Sequence, residues 1–228
     1  MKSVTRREFM VDGSMLIGGA VLGNELFFPK KVQAGKVEFP ESSCGLEKKT
    51  GKKVLVTYAS KYGSTGGVAD AIGKELCTKG VNADTVLIKN AGNVGSYQGV
   101  VIGGAIYMGK WMSESVDFVK KNRDILRQMP VAYFLVCMTL SQPTEKKRAQ
   151  VLSYMDPILE TVPEIKPVGI GTFAGELDYS NLSWLKKTIM KAKDAPEGDF
   201  RDWTAIRTWA DDLCSPLLAL GGKRYAAR

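Results

Sequence analysis

The stretch Val54-Leu55-Val56-Thr57-Tyr58-Ala59-Ser60-Lys61-Tyr62-Gly63-Ser64-Thr65-Gly66-Gly67-Val68-Ala69 runs from an apolar, β-prone segment through a small, hydroxyl-rich turn directly into a helical pattern. A strand that feeds a helix through such a turn aims the helix's first free N–H groups, and its positive dipole end, at whatever sits in the turn. The stretch therefore reads as an anion site. Ser60, Ser64 and Thr65 supply hydroxyl donors and Lys61 a charge. Tyr62 carries its hydroxyl on a longer arm, and Gly63 allows close backbone approach.

The strand spans 53–58 and the helix 64–79, with Val68, Ile72 and Leu76 on one face and Gly80 as its C-terminal stop. Further strands are predicted over 83–88, 97–103, 131–138 and 168–173, several of them continuously apolar as buried parallel strands are. Helices are predicted over 113–126, with Ser113 as N-cap, over 144–159, disturbed at Pro157, and over 202–217. Five strands alternating with helices define an α/β fold, an open parallel sheet covered on both faces. Ligands of such sheets bind beyond the carboxyl ends of the strands. Three segments meet there: 60–65, the glycine-rich loop 103–111, and the loop 139–143.

The chain's 44% hydrophobic and 25% charged residues leave enough apolar surface for one sizeable core in 228 residues. No apolar run reaches the roughly 18 residues of a membrane span. There is no histidine, which excludes Ser-His and Cys-His catalysis and most zinc chemistry. No metal-ligand spacing is present, and no side chain stands out as a catalytic acid or base. Cys44, Cys77, Cys137 and Cys214 lie far apart, so the sequence leaves any disulfide pairing open. The net charge is +8, of which the residues after the first 34 carry +6. No Lys/Arg stripe with interleaved aromatics accompanies it, so nucleic acid is not an expected partner.

Residues 1–34 read as a targeting segment. Thr5-Arg6-Arg7-Glu8-Phe9-Met10 resembles the twin-arginine export motif, an apolar run follows over 15–23, and Val32-Gln33-Ala34 suits cleavage. The expected location is the periplasm or the outer face of the membrane, or the cytoplasm if the leader is not a signal. Residues 35–51 read as a linker, 52–220 as the folded domain and 221–228 as a tail.

The three loops resemble those of the flavodoxin-like fold family. The turn Ser60-Lys61-Tyr62-Gly63-Ser64-Thr65 is similar to its phosphate loop, with Tyr62 where the family usually places a smaller hydroxyl residue. A closer resemblance is to the menaquinone-dependent protoporphyrinogen oxidase family. It is carried by Val100-Val101-Ile102-Gly103-Gly104-Ala105-Ile106-Tyr107-Met108-Gly109, Phe118-Val119-Lys120-Lys121, Met129-Pro130-Val131-Ala132-Tyr133-Phe134 and Thr172-Phe173-Ala174-Gly175. The resemblance implies FMN, its phosphate in the turn 60–65. Gly104, Ala105, Ile106, Tyr107, Met108 and Gly109 would run along the flavin ring, with Tyr107 or Trp111 stacking on it. Thr139, Leu140 and Ser141 would close the other side. It also implies electron transfer from a reduced donor, protoporphyrinogen in that family, to a quinone or another redox partner. An electron-transfer module without a substrate of its own is the alternative.

One segment stands apart. In Leu182-Ser183-Trp184-Leu185-Lys186-Lys187-Thr188-Ile189-Met190-Lys191, Leu182, Leu185 and Ile189 share a helical face, and lysines 186, 187, 191 and 193 crowd the rest. A basic amphipathic helix over 182–193 suits either peripheral contact with an anionic membrane or packing on the domain.

Overall fold

The computed structural model describes residues 37–45, 53–192 and 195–219. The leader, residues 35–36 and 46–52, residues 193–194 and the chain from 220 onward lie outside the described residues.

Strand β2 (Lys53–Ala59) enters α1 (Ser64–Thr78), and β3 (Asn82–Leu87), β4 (Gly99–Tyr107), β6 (Val131–Cys137) and β7 (Gly169–Ala174) complete the parallel set. Their order across the sheet is β3-β2-β4-β6-β7. The chain thus reverses direction of travel beside β2, which makes the carboxyl ends of β2 and β4 the switch point. The expected five parallel strands are all present. Two antiparallel pieces are added: β1 (Ser42–Cys44) on the edge beside β3, and β5 (Lys110–Trp111), which folds back on β4.

Alternating side chains send each strand into two cores. Val54, Val56 and Tyr58 of β2, with Ala132, Phe134 and Val136 of β6, pack under α1 and α7 (Trp203–Ala219). Leu55, with Tyr133, Leu135 and Cys137, faces the opposite layer. That layer holds α2 (Ser113–Lys121), α3 (Arg123–Leu126), α4 (Glu145–Ser153) and α5 (Asp156–Thr161). The continuously apolar strands are buried on both faces for this reason.

Several boundaries differ from the sequence reading. The helix expected over 113–126 breaks at Asn122, whose side chain bonds back to the Phe118 carbonyl. Its N-cap is Met112, and Ser113 is already helical. Thr144 caps α4 by accepting the Lys147 N–H, and the segment expected over 144–159 divides before Asp156, with Pro157 in the first turn of α5. Gly80 ends α1 at φ +82, with its N–H and that of Val81 bonded to the carbonyls of Cys77 and Leu76.

The described part of the expected linker, residues 37–45, is not a spacer. Its polar side chains hold it to the domain. Glu41 accepts from the Leu87 N–H and from Asn90, Tyr58 donates to the Pro40 carbonyl at 2.8 Å, and Ser43 and Lys53 both bond Asp84. A disulfide joins Cys44 to Cys77 of α1 across 33 positions. Closing a loop of that length contributes on the order of 3–4 kcal/mol in the chain-entropy account. Cys137 is buried, as its apolar run predicts.

The connection between β7 and α7 carries its own structure. β8 (Glu176–Leu177) pairs with β9 (Gly198–Asp199), and α6 (Trp184–Ala192) lies between them in sequence. Arg201 clamps this ribbon, binding Asp199 and Glu176 while lying 4.6 Å over the Trp203 ring.

Candidate functional site

At the end of β2 the chain turns through Ser60–Gly63 and starts α1. Gly63 sits at φ +82, a conformation that favours glycine. The N–H groups of Gly66 and Gly67 return to the Gly63 carbonyl, while those of Ser64 and Thr65 find no acceptor among the described residues. Two donors and a helix dipole are therefore free to meet an anion. No carboxylate stands in the first turn of α1 to compete for them.

The side chains divide in role. Thr65 is buried under the turn. The Ser64 hydroxyl accepts the Glu176 N–H at 2.8 Å, which ties the turn to β8 and leaves its own proton to donate. The Tyr62 hydroxyl accepts from Lys186 of α6 at 2.9 Å, so it is engaged with the insert. That hydroxyl in turn raises the Lys186 ammonium pKa above its ordinary value. Lys61 places its Nζ 4.0 Å above the centre of the Tyr107 ring, a cation–π distance.

The expected loop 103–111 is largely strand. Gly104, Ala105, Ile106 and Tyr107 continue β4, and Ile106 and Tyr107 pair with Trp111 and Lys110 of β5. Only Met108 and Gly109 turn, at φ 53 and 75. Two consecutive positive φ values make a tight hairpin whose twist suits the flanking strands. A methionine in this conformation costs roughly 1–2 kcal/mol. Its side chain points to solvent, 86% exposed.

Trp111 corrects one expectation. It is buried, edge-on to Tyr133 at 5.6 Å, and cannot offer a free face to a ring. Its Nε1 has no hydrogen-bond partner among the described residues and lies next to Gly104, where an added Cβ would come within 2.5 Å. Tyr107, 39% exposed, is the aromatic left at the rim. Leu140 is a second correction. The segment Met138–Ser141 coils as a 3-10 turn that buries Leu140 in the core, leaving Thr139 and Ser141 partly exposed.

Between the phosphate-type turn and the hairpin lies a cavity of about 510 Å³. Its lining includes Ser60, Lys61, Tyr107, Lys110 and Trp111, and its size falls in the range that holds a cofactor. Met112, Ser113 and Glu114 also line it. Ser113 and Glu114 are expected at a helix start and Met112 just before it, and nothing in their residue types signals a cavity lining. The turn 138–141 does not line this cavity, although Met138 and Ser64 both approach Gly175. Of the turn, only Ser60 and Lys61 line this cavity; Tyr62, Gly63 and Ser64 line a separate one of about 480 Å³ with Glu38, Glu176 and Asp178, and Thr65 is buried. Free first-turn donors, an adjacent cation and a rim aromatic are nonetheless the chemistry that the phosphate and ring of FMN call for. Ser60, Lys61, Ser64 and Thr65 would hold the phosphate end, and the hairpin would flank the ring.

The flavodoxin-domain family matches residues 55–203, and the chain belongs to that family. FMN is its cofactor, and the protein is an FMN oxidoreductase. Among its relatives is a protoporphyrinogen IX dehydrogenase [quinone] of Leishmania major, 27% identical over 181 residues, which are 74% of this chain and 77% of that protein. The protein of the same name from Escherichia coli K12 is 28% identical over 172 residues, 71% of this chain and 94% of the other. A flavodoxin from the domain Archaea aligns structurally at 15% identity with a TM-score of 0.45, over 72% of this chain and 98% of its own.

Proposed function

We propose that the protein passes electrons from a reduced small-molecule donor of the protoporphyrinogen type, through FMN, to a quinone. What carries this reading is the switch-point site of a flavodoxin domain in a chain similar to two quinone-linked protoporphyrinogen dehydrogenases. FMN supplies the hydride and electron chemistry. The chain's own part is placement. Ser60, Thr65 and the free N–H groups bind the phosphate, and the hairpin 104–111 with Tyr107 shapes the ring's surroundings. Lys61 and Lys110 keep that rim positive, which favours negative charge arriving on a reduced ring. With FMN-loaded protein, reduced porphyrinogen and menaquinone, porphyrin fluorescence should rise through many turnovers. Absence of any rise, with reduced flavin that menaquinone fails to reoxidise, would contradict the reading.

We further propose that α6 rests on an anionic membrane surface, where a lipid-soluble acceptor resides. No residue of α6 is buried. Trp184, Leu185 and Ile189 are 79%, 53% and 47% exposed. Trp184 thus joins the apolar stripe, whereas Leu182 precedes the helix and lines a cavity beside Tyr62. Lys187 and Lys191 flank the stripe. Reversing both charges should abolish cosedimentation with vesicles rich in anionic lipid; unchanged cosedimentation would sink the idea.

Export by the twin-arginine route, to the periplasm or the outer face of the membrane, is the location we propose. The Cys44–Cys77 pair supports it, because disulfides persist in oxidising compartments. Thiol trapping in intact cells should find both cysteines oxidised. Alkylation of both would place the chain in a reducing compartment.

A further inference from the structure

We propose that residues 37–45 form a disulfide-stapled clamp on the phosphate turn that slows release of FMN. The proposal rests on FMN occupying that turn. The segment lies before residue 55, where the family match begins, and so outside the matched residues.

Its path crosses the start of α1. A Cβ built on Gly63 would lie 2.7 Å from the Glu38 carbonyl oxygen and 3.2 Å from Val37. One built on Gly66 would lie 2.9 Å from Pro40 Cδ. The two glycines that shape the turn are thus in direct contact with the segment. Tyr58, fully buried at the end of β2, donates to the Pro40 carbonyl, which fixes the segment at its middle. Beyond Pro40, Glu41 caps the end of β3 and β1 pairs with β3 over three residues.

Three residues of edge pairing, the part-buried bond from Tyr58 and a few exposed polar bonds make a modest non-covalent hold. The covalent link is what makes it permanent. Cys44 sits at the end of the segment, and Cys77 lies in the last turn of α1, the helix whose first turn meets the phosphate. Both cysteines are partly exposed, so thiol reagents reach them. Closing the staple oxidises two thiols. Cys44 and Cys77 together give up two electrons and two protons to a disulfide oxidant, and the Sγ–Sγ bond forms. Dithiothreitol reverses the step and is itself oxidised to its cyclic disulfide. A chain that loads FMN with thiols reduced and then meets an oxidising compartment would close the clamp against a turn that already holds its cofactor.

The test uses the FMN-loaded full chain. FMN release after dilution is followed by flavin fluorescence before and after dithiothreitol, with thiols titrated and far-UV circular dichroism recorded on the same samples. Free thiols should rise from two, Cys137 and Cys214, to four. Release should then quicken about tenfold, which corresponds to about 1.4 kcal/mol, with circular dichroism unchanged. Tyr58→Phe, which keeps both cysteines, should quicken release in the oxidised protein too. Equal release rates before and after verified reduction would overturn the clamp. Collapse of the circular dichroism on reduction would also overturn it, since the staple would then hold the fold and not the cofactor. A chain that takes up no FMN in either state would overturn the cofactor reading itself, and the clamp with it.

Discussion

Replacing Ser60 and Thr65 together by alanine is expected to weaken FMN binding about a hundredfold. In the proposed site each hydroxyl would donate to the phosphate, and a hydrogen bond to a charged group is worth roughly 1.5–3 kcal/mol, so losing two removes about 3 kcal/mol. The backbone donors of Ser64 and Thr65 survive the change, so binding weakens without vanishing. Tyr62→Phe makes the contrast. Its hydroxyl is engaged by Lys186, so its loss should leave FMN affinity nearly unchanged while loosening the tie to α6. Titration of the three proteins by flavin fluorescence quenching checks both statements. Equal weakening in both variants would mean that Tyr62 turns back to the phosphate when FMN is bound.

Gly103→Ala carries the largest expected effect on stability. Gly103 pairs in register with Phe134 in the centre of the sheet, and an added Cβ would fall within the Phe134 ring. That ring cannot retreat freely. It packs against Phe173 and Trp209 at 6.5 and 6.4 Å between centroids, under α7. Overpacking of this kind costs about 1–3 kcal/mol, and a fully buried aromatic with ordered neighbours belongs at the upper end, ~3 kcal/mol. Urea denaturation should show the midpoint falling with an unchanged slope. A midpoint equal to that of the parent protein would show that the aromatic cluster can repack.

These two glycine-rich segments also show where the sequence was legible. The parallel strands announce themselves as β-branched apolar runs, because burial on both faces leaves no room for polar alternation. The turn 60–65 is legible because its order, strand, small hydroxyl residues, helix, has one physical outcome. Gly103-Gly104 misleads in the opposite direction. Paired glycines look like a loop, yet here they continue a strand and make room for Phe134 on one face and Trp111 on the other. Trp111 and Leu140 read as rim residues because both follow strand ends, and only the tertiary structure shows them turned into the core. Residues 37–45 left no signal at all. Their attachment depends on individual polar partners and on one of several possible cysteine pairings, none of which has a periodicity to read. In α6 the lysines and the apolar stripe were legible, but not the turning of Lys186 to Tyr62.

Everything proposed for this protein depends on one FMN occupying the switch-point site. The most direct measurement is the absorption spectrum of the purified, FMN-treated full chain after removal of free cofactor, with the released cofactor identified by mass. The expected result is an oxidised flavin spectrum with one FMN per chain, and a lower FMN content in the Ser60→Ala/Thr65→Ala protein. A colourless protein that retains no flavin, with its circular dichroism intact, would contradict it.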